Sequence, residues 1–169
     1  HTGQRAAFGK LLRSQPLMMN VLADMALETE AATALSLRLA RAFDAQEDEG
    51  EGLLRRLLTP VAKLWICKRC PTLVAEAMEA HGGNGYVEEG PMPRLFRQSP
   101  LNSIWEGSGN VMCLDTLRAL ARQPKSAEAL AAEIAPALGK NAAYDRHVAQ
   151  LQSSLRDADG IETRARSLT

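Results

Sequence analysis

From Pro16 to about Phe43, Met18, Leu22, Met25, Ala32, Leu35 and Leu39 recur in three- and four-residue steps. That spacing puts them on one face of a long amphipathic helix. Pro16 suits the first turn, where a missing amide costs nothing, and the methionines read as adaptable core filler. A second helix carries Leu54, Leu57, Leu58, Val61, Leu64 and Trp65 and continues through Leu73, Val74, Ala77 and Met78 to His81. Within it Thr59-Pro60 offers an internal start, and Pro71 should bend the axis. Gly82 and Gly83 then stop it as a left-handed cap does. A third helix, capped by Ser108 or Asn110, runs to about Arg122 through Val111, Leu114, Leu117 and Leu120, and Pro124 closes it. The tail, Lys125 to Thr169, offers two weaker helical patterns, through Leu130, Ile134 and Leu138 and through Val148, Leu151 and Leu155. Its polar end, from Ser154 onward, reads as frayed or truncated, without a closing element.

Ala and Leu dominate the apolar residues, aromatics are 4%, and β-branched runs are nearly missing. These features favour an all-α fold in which no strand is callable, with a helical domain expected over residues 1–123 and a further helical tail over residues 124–169. At 169 residues the chain fits one domain but is short for a two-substrate enzyme, so a fragment is expected. The stretch Asp44 to Gly52 holds five acids and two glycines and reads as a mobile, solvated loop. The helix after it is countercharged by Arg55, Arg56, Lys63, Lys68 and Arg69, a solvated basic face without the aromatic interleaving of a nucleic-acid surface.

Twenty basic residues balance twenty acidic ones, which leaves no global field for nucleic acid or anionic membrane. No apolar run reaches the roughly 20 residues needed to span a bilayer. No signal-like segment opens the chain, and a soluble, cytoplasmic protein without a membrane partner is expected. Cys67, Cys70 and Cys113 are odd in number and lack a second pair or nearby histidines, so free thiols are expected and no metal site.

The candidate chemistry lies between Glu76 and Arg118, a stretch holding six of the twelve glycines. His81-Gly82-Gly83-Asn84-Gly85-Tyr86 ends a helix and follows no strand, so it is not a dinucleotide fingerprint. Bare glycine backbone can still reach a phosphate or ribose; taken alone, these residues favour a helix cap and turn over a cofactor contact. Glu106, between Trp105 and Gly107, is the candidate acid or base, because a neighbouring indole can exclude water and raise a carboxyl pKa. The same residues read equally well as a plain turn entering a helix. Arg5, Phe8 and Lys10 surround a Gly9 turn, and Arg5 alone reads as a solvated helix-end cation.

The ordered set RxxFG, LADM, EAMEAHGGNGY, PRLFR and IWEGSGN, over roughly Arg5 to Ala121, resembles the C-terminal helical domain of the acyl-CoA dehydrogenase superfamily. SIWEGSGNVMCLD and TPVAKLWICKR further resemble its alkylation-response branch, flavoproteins linked to adaptation to DNA-methylating agents. The resemblance implies a four-helix bundle whose first helix is largely missing here, FAD as cofactor, an acyl-CoA substrate, and a homotetramer with cofactor contacts across subunits. A missing bundle helix should leave an apolar groove, so self-association or a retained partner segment is expected.

By position, the resemblance puts Arg5 and Phe8 against the FAD diphosphate and adenine side of a neighbouring subunit and gives Gln15 a further cofactor-side place. Ala7 departs from the usual hydroxyl or amide. Gly82 and Gly83 match the turn beside the ADP portion, and Ser108, in place of the usual threonine, and Asn110 meet FAD again. Glu106 matches the catalytic base, which takes the α-proton of an acyl thioester as hydride leaves the β-carbon for flavin N5. Two alternatives accompany this reading. One is a DNA-associated protective protein using the same fold as scaffold, with Arg146, Arg156, Arg164 or Arg166 as phosphate contacts. The other is a cofactor-free helical interaction domain.

Overall fold

The computed structural model describes every residue except Ala158. Two two-residue strands, β1 (Ala6–Ala7) and β2 (Lys10–Leu11), pair antiparallel around Phe8 and Gly9. Eight α-helices follow among the described residues: α1 (Pro16–Asp44), α2 (Glu49–Glu79), α3 (Gly83–Tyr86), α4 (Met92–Gln98), α5 (Gly109–Arg122), α6 (Lys125–Ile134), α7 (Ala142–Arg156) and α8 (Ala165–Leu168). The all-α expectation holds, with the small hairpin as the one exception among the described residues. No helix among the described residues is long and apolar enough to cross a membrane. The chain forms two compact units, His1–Ser36 with Ile66–Glu106, and Leu37–Trp65 with Gly107–Thr169.

In the first unit, α1 begins at Pro16, and Met18, Leu22, Met25, Ala32 and Leu35 are half-buried as their spacing predicts. Met25 and Thr29 of α1, Leu73 and Ala77 of α2, and Met92 and Leu95 of α4 line a cleft of about 470 Å³. Arg69 of α2 forks onto the Glu28 carboxylate of α1. The apolar flank of α1 stays bare, with Leu17 81% and Leu27 66% exposed.

The second unit holds most of the buried apolar side chains: Ala42 of α1, Leu54, Leu57, Leu58 and Ala62 of α2, Cys113 and Ala119 of α5, Val148 of α7 and Ala165 of α8. The buried line of α5 is Gly109, Cys113, Thr116 and Ala119, whereas Val111 and Leu114 are exposed. The expected leucine stripe is therefore rotated, because small residues let neighbouring elements approach closely. The buried Thr116 hydroxyl donates to the Met112 carbonyl at 3.0 Å, so it carries no unmet polar cost.

Two segments differ from expectation. Residues 49–52 are helical rather than loop: the Asp48 carboxylate accepts the Glu51 amide at 3.0 Å, and Glu49 and Glu51 sit where the helix dipole favours acids. α2 also continues through Pro60 and Pro71 before ending at Glu79. At the other end, the polar tail does close. Asn141 caps α7 by accepting the Ala143 and Tyr144 amides. The Arg164 guanidinium gathers the carbonyls of Ser154, Asp157 and Asp159, and α8 packs against α5 and α7. One arginine thus satisfies several carbonyls that a polar turn would otherwise leave to water.

Ion pairs tie this unit together. Arg38 of α1 donates to Glu51 of α2 at 2.8 Å and to Glu133 of α6 at 2.6 Å, and Arg56 of α2 grips Asp115 of α5 through two bonds of 2.8 Å. The hydrogen bond from Arg56 holds the Asp115 carboxyl below its ordinary value, and that from Arg38 does the same to Glu133. Because both folded-state values are depressed, this stabilisation is complete above the unfolded carboxyl range of about 4 and is lost as pH falls through the folded values. The urea midpoint should therefore drop below about pH 4, and Asp115→Asn with Glu133→Gln should flatten that dependence. An unchanged slope in the double variant would show that these pairs do not carry it.

Candidate functional site

The first candidate cluster is the glycine turn after α2. The Ala80, His81 and Gly82 amides donate to Glu76, Met78 and Glu79 carbonyls, which winds down the helix, and Gly82 then takes a positive φ of 60°. The helix ends two residues before His81, and Gly83 opens the short α3 instead of capping α2. Gly85 is buried, and a Cβ there would stand 2.1 Å from the Met78 carbonyl oxygen. Only a hydrogen fits between the two backbones. At Gly82 and Gly83 an added Cβ would meet no atom within 4 Å, so the turn presents open backbone.

The N-terminal hairpin is tied to the end of α2. The His1 and His81 rings lie 4.9 Å apart, and the His1 carbonyl accepts the Arg5 amide at 3.0 Å. Arg5 is exposed. Phe8 sits at a φ of 52°, rare for a bulky residue, with its side chain 97% exposed. Gln15 Nε2 donates to the Ala7 carbonyl at 2.9 Å and so braces the hairpin. The Arg5 side chain, the Gly82 and Gly83 backbone and the Phe8 ring are thus all open to solvent.

The second cluster runs from Leu101 to Asn110. The Ile104 and Trp105 amides both donate to the Leu101 carbonyl, and Trp105 Nε1 donates to Asn102 Oδ1 at 3.1 Å. Glu106 follows at a φ of 51° and Gly107 at 107°. Two successive left-handed residues are costly for an L-amino acid chain, roughly 1–3 kcal/mol at the glutamate. Glu106 is exposed and Trp105 is 56% exposed, so the chain by itself does not provide the water exclusion expected from the indole.

Gly107 is pinned. Lys63 of α2 donates to its carbonyl at 2.8 Å, and a Cβ at Gly107 would stand 2.4 Å from Met112 Cε. Ser108 is the N-cap residue of α5, but its hydroxyl makes no capping bond and stays exposed. Asn110, inside the first turn, accepts from Arg166 Nε at 2.8 Å. The residue pattern puts Lys63 on a solvated basic face and Arg166 in the polar end, among the candidate phosphate contacts. Neither bond has a local signal, since the partners lie 44 and 56 residues apart.

Cys113 is buried and Cys67 and Cys70 are half-buried, and none of the three is in a disulfide. Of the four tail arginines, Arg164 and Arg166 are engaged internally, whereas Arg146 and Arg156 are exposed on α7.

Against known proteins, the family described as acyl-CoA dehydrogenase, C-terminal domain, matches residues 1–121. The chain is 52% identical over 156 residues to AidB of Escherichia coli strain K12, covering 92% of this chain and 29% of that protein. It is 30% identical over 162 residues to acyl-CoA dehydrogenase family member 11 of Caenorhabditis elegans, covering 94% of this chain and 26% of that protein. The crystal structure of Caenorhabditis elegans ACDH-11 in complex with C11-CoA superposes with a TM-score of 0.89 at 29% identity, covering 99% of this chain and 32% of that one. The chain thus spans under a third of the relatives it matches.

The contact at Gly85 gives a direct test of the glycine turn. Gly85→Ala should push α3 off the Met78 carbonyl and lower stability by about 1–3 kcal/mol, read as a urea midpoint. A wild-type midpoint would mean that the turn yields freely.

Proposed function

This chain belongs to the acyl-CoA dehydrogenase family, and from that premise we propose that it is the C-terminal helical domain of an FAD-dependent α,β-dehydrogenase of acyl-CoA thioesters, in the alkylation-response branch. The observation that carries the reading is the backbone of Glu106. A non-glycine residue held at positive φ on a pinned turn, with its carboxylate exposed, is strain kept at a place where a side chain must be aimed.

In this reading Glu106 Oε takes the proton from the substrate α-carbon. Bound FAD would supply the acceptor for the hydride that leaves the β-carbon. Arg5 and the open backbone of Gly82 and Gly83 suit the cofactor diphosphate, and Phe8 offers a ring face to the adenine side. Gln15 keeps the hairpin in shape for both, while Ser108 and Asn110 carry exposed polar groups at the start of α5. The base needs a drier setting than this chain gives Glu106, so the water exclusion must come from substrate, from the rest of the parent protein or from a neighbouring subunit. The exposed flank of α1 supports self-association, with a homotetramer as the proposed assembly.

The identity with AidB supports the branch. The C11-CoA named with the worm structure supports a fatty acyl thioester as substrate class. The DNA-associated alternative relies on tail cations, of which Arg164 and Arg166 already serve internal bonds.

The test uses the full-length holoprotein. Anaerobic addition of a panel of acyl-CoA thioesters should bleach the flavin absorbance, and Glu106→Gln should slow bleaching by about 10²–10⁴-fold with flavin still bound. Flavin that no acyl-CoA reduces would contradict the dehydrogenase reading, and equal rates in Glu106→Gln would remove Glu106 from the base role.

A further inference from the structure

We infer that Arg166, on the tail, is a positioning residue for Asn110 that sets which end of its carboxamide is turned toward the cofactor, an inference that rests on the FAD-binding reading above. Arg166 Nε donates to Asn110 Oδ1 at 2.8 Å, and both residues belong to the unit that holds residues 107–169. A guanidinium has donors and no acceptor, so the atom it meets must be the amide oxygen. Asn110 is exposed, and the end of its side chain left open is therefore Nδ2, which can only donate.

An asparagine alone does not make that choice. Its terminal torsion is broad and nearly two-fold, so oxygen and nitrogen exchange places at little cost. The phosphate and ribose oxygens of FAD accept hydrogen bonds. A carboxamide that turns its own oxygen outward would meet them with lone pairs against lone pairs, whereas one whose oxygen is already taken meets them as a donor. A charged donor on that oxygen also outlasts a neutral one, because charge-assisted bonds are the stronger kind.

The tail is built to bring Arg166 to this point. α8 packs against α5, and Ala165, the residue before Arg166, is 3% exposed. Ala165 and the buried Cys113 line, together with Asn110 and Arg166, one cavity of about 310 Å³. Their small side chains let the tail lie close to the first turns of α5. On the approach to α8, the Arg164 guanidinium holds the carbonyls of Ser154, Asp157 and Asp159. Beyond it, Thr169 Oγ1 donates to the Ala165 carbonyl at 2.9 Å and closes the last turn. Arg166 thus stands on backbone fixed on both sides, and Asn110 on the start of a long helix. The single bond between them decides the orientation of a side chain whose position is otherwise set.

The test measures the dissociation constant for FAD on full-length apoprotein, with amide hydrogen exchange over residues 159–168 as the control for tail docking. Arg166→Met keeps an apolar stem and removes the donor. It should weaken FAD by about 3- to 10-fold, with tail exchange near wild type, and Arg166→Lys should recover part of the loss. In an Asn110→Ala background, Arg166→Met should weaken FAD no further, because no carboxamide is left to orient. Equal weakening in both backgrounds would overturn the inference and make Arg166 a structural residue of the tail, as would an unchanged dissociation constant in Arg166→Met. Should Arg166→Met fail to fold, Arg166→Lys carries the same comparison in the two backgrounds. A wild type that binds no FAD would instead sink the cofactor reading itself, and the orienting role with it.

Discussion

Between Trp105 and Ser108 the backbone passes through two successive positive φ values, and α5 can begin only once that turn is made. L-residues avoid this region because Cβ crowds the following carbonyl, so something outside the turn must over-determine it. Lys63 of α2 meets the second half of the turn at the Gly107 carbonyl. Other features follow from the direction this sets: Ser108 stands at the helix start with its hydroxyl free, and Asn110 meets Arg166 on the returning tail. The residues with chemical potential are therefore placed by backbone geometry and by long-range donors, with little help from side-chain burial at the site itself.

Stability and chemistry are distributed differently. The buried apolar side chains concentrate in the unit formed by residues 37–65 and 107–169, where Leu54, Leu57 and Leu58 are covered and Arg38 and Arg56 link helices through partly buried carboxylates. The unit formed by residues 1–36 and 66–106 leaves Phe8, Leu17, Leu27 and Trp105 bare. Leaving so much apolar surface open forgoes about 25 cal/mol per Å² of burial. Surface of that kind is what an interface with more protein or with a cofactor would recover.

Long helices were legible in the residues. The three- and four-residue spacing of Met18, Leu22 and Met25 names the half-buried face of α1, and Pro16 marks its first residue. Periodicity failed where burial is done by small residues, as on α5, because Cys113, Thr116 and Ala119 carry a weak hydrophobic signal. It also failed at residues 49–52, where capping by Asp48 outweighs two glycines, and at the tail, where one arginine collects distant carbonyls. The candidate site was legible as an ordered set of motifs and not as geometry. Glu106 stands out beside Gly107 in the residues, whereas the Lys63 anchor joins positions 44 residues apart and is visible only once α2 and α5 are in place.

The central claim is that Glu106 accepts the substrate α-proton. It can be tested apart from redox chemistry by following incorporation of solvent deuterium at the α-carbon of an acyl-CoA that cannot be oxidised at its β-position, using the full-length holoprotein in D₂O. The account predicts exchange catalysed by wild type and lost in Glu106→Gln with flavin content unchanged. Undiminished exchange in that variant would contradict it.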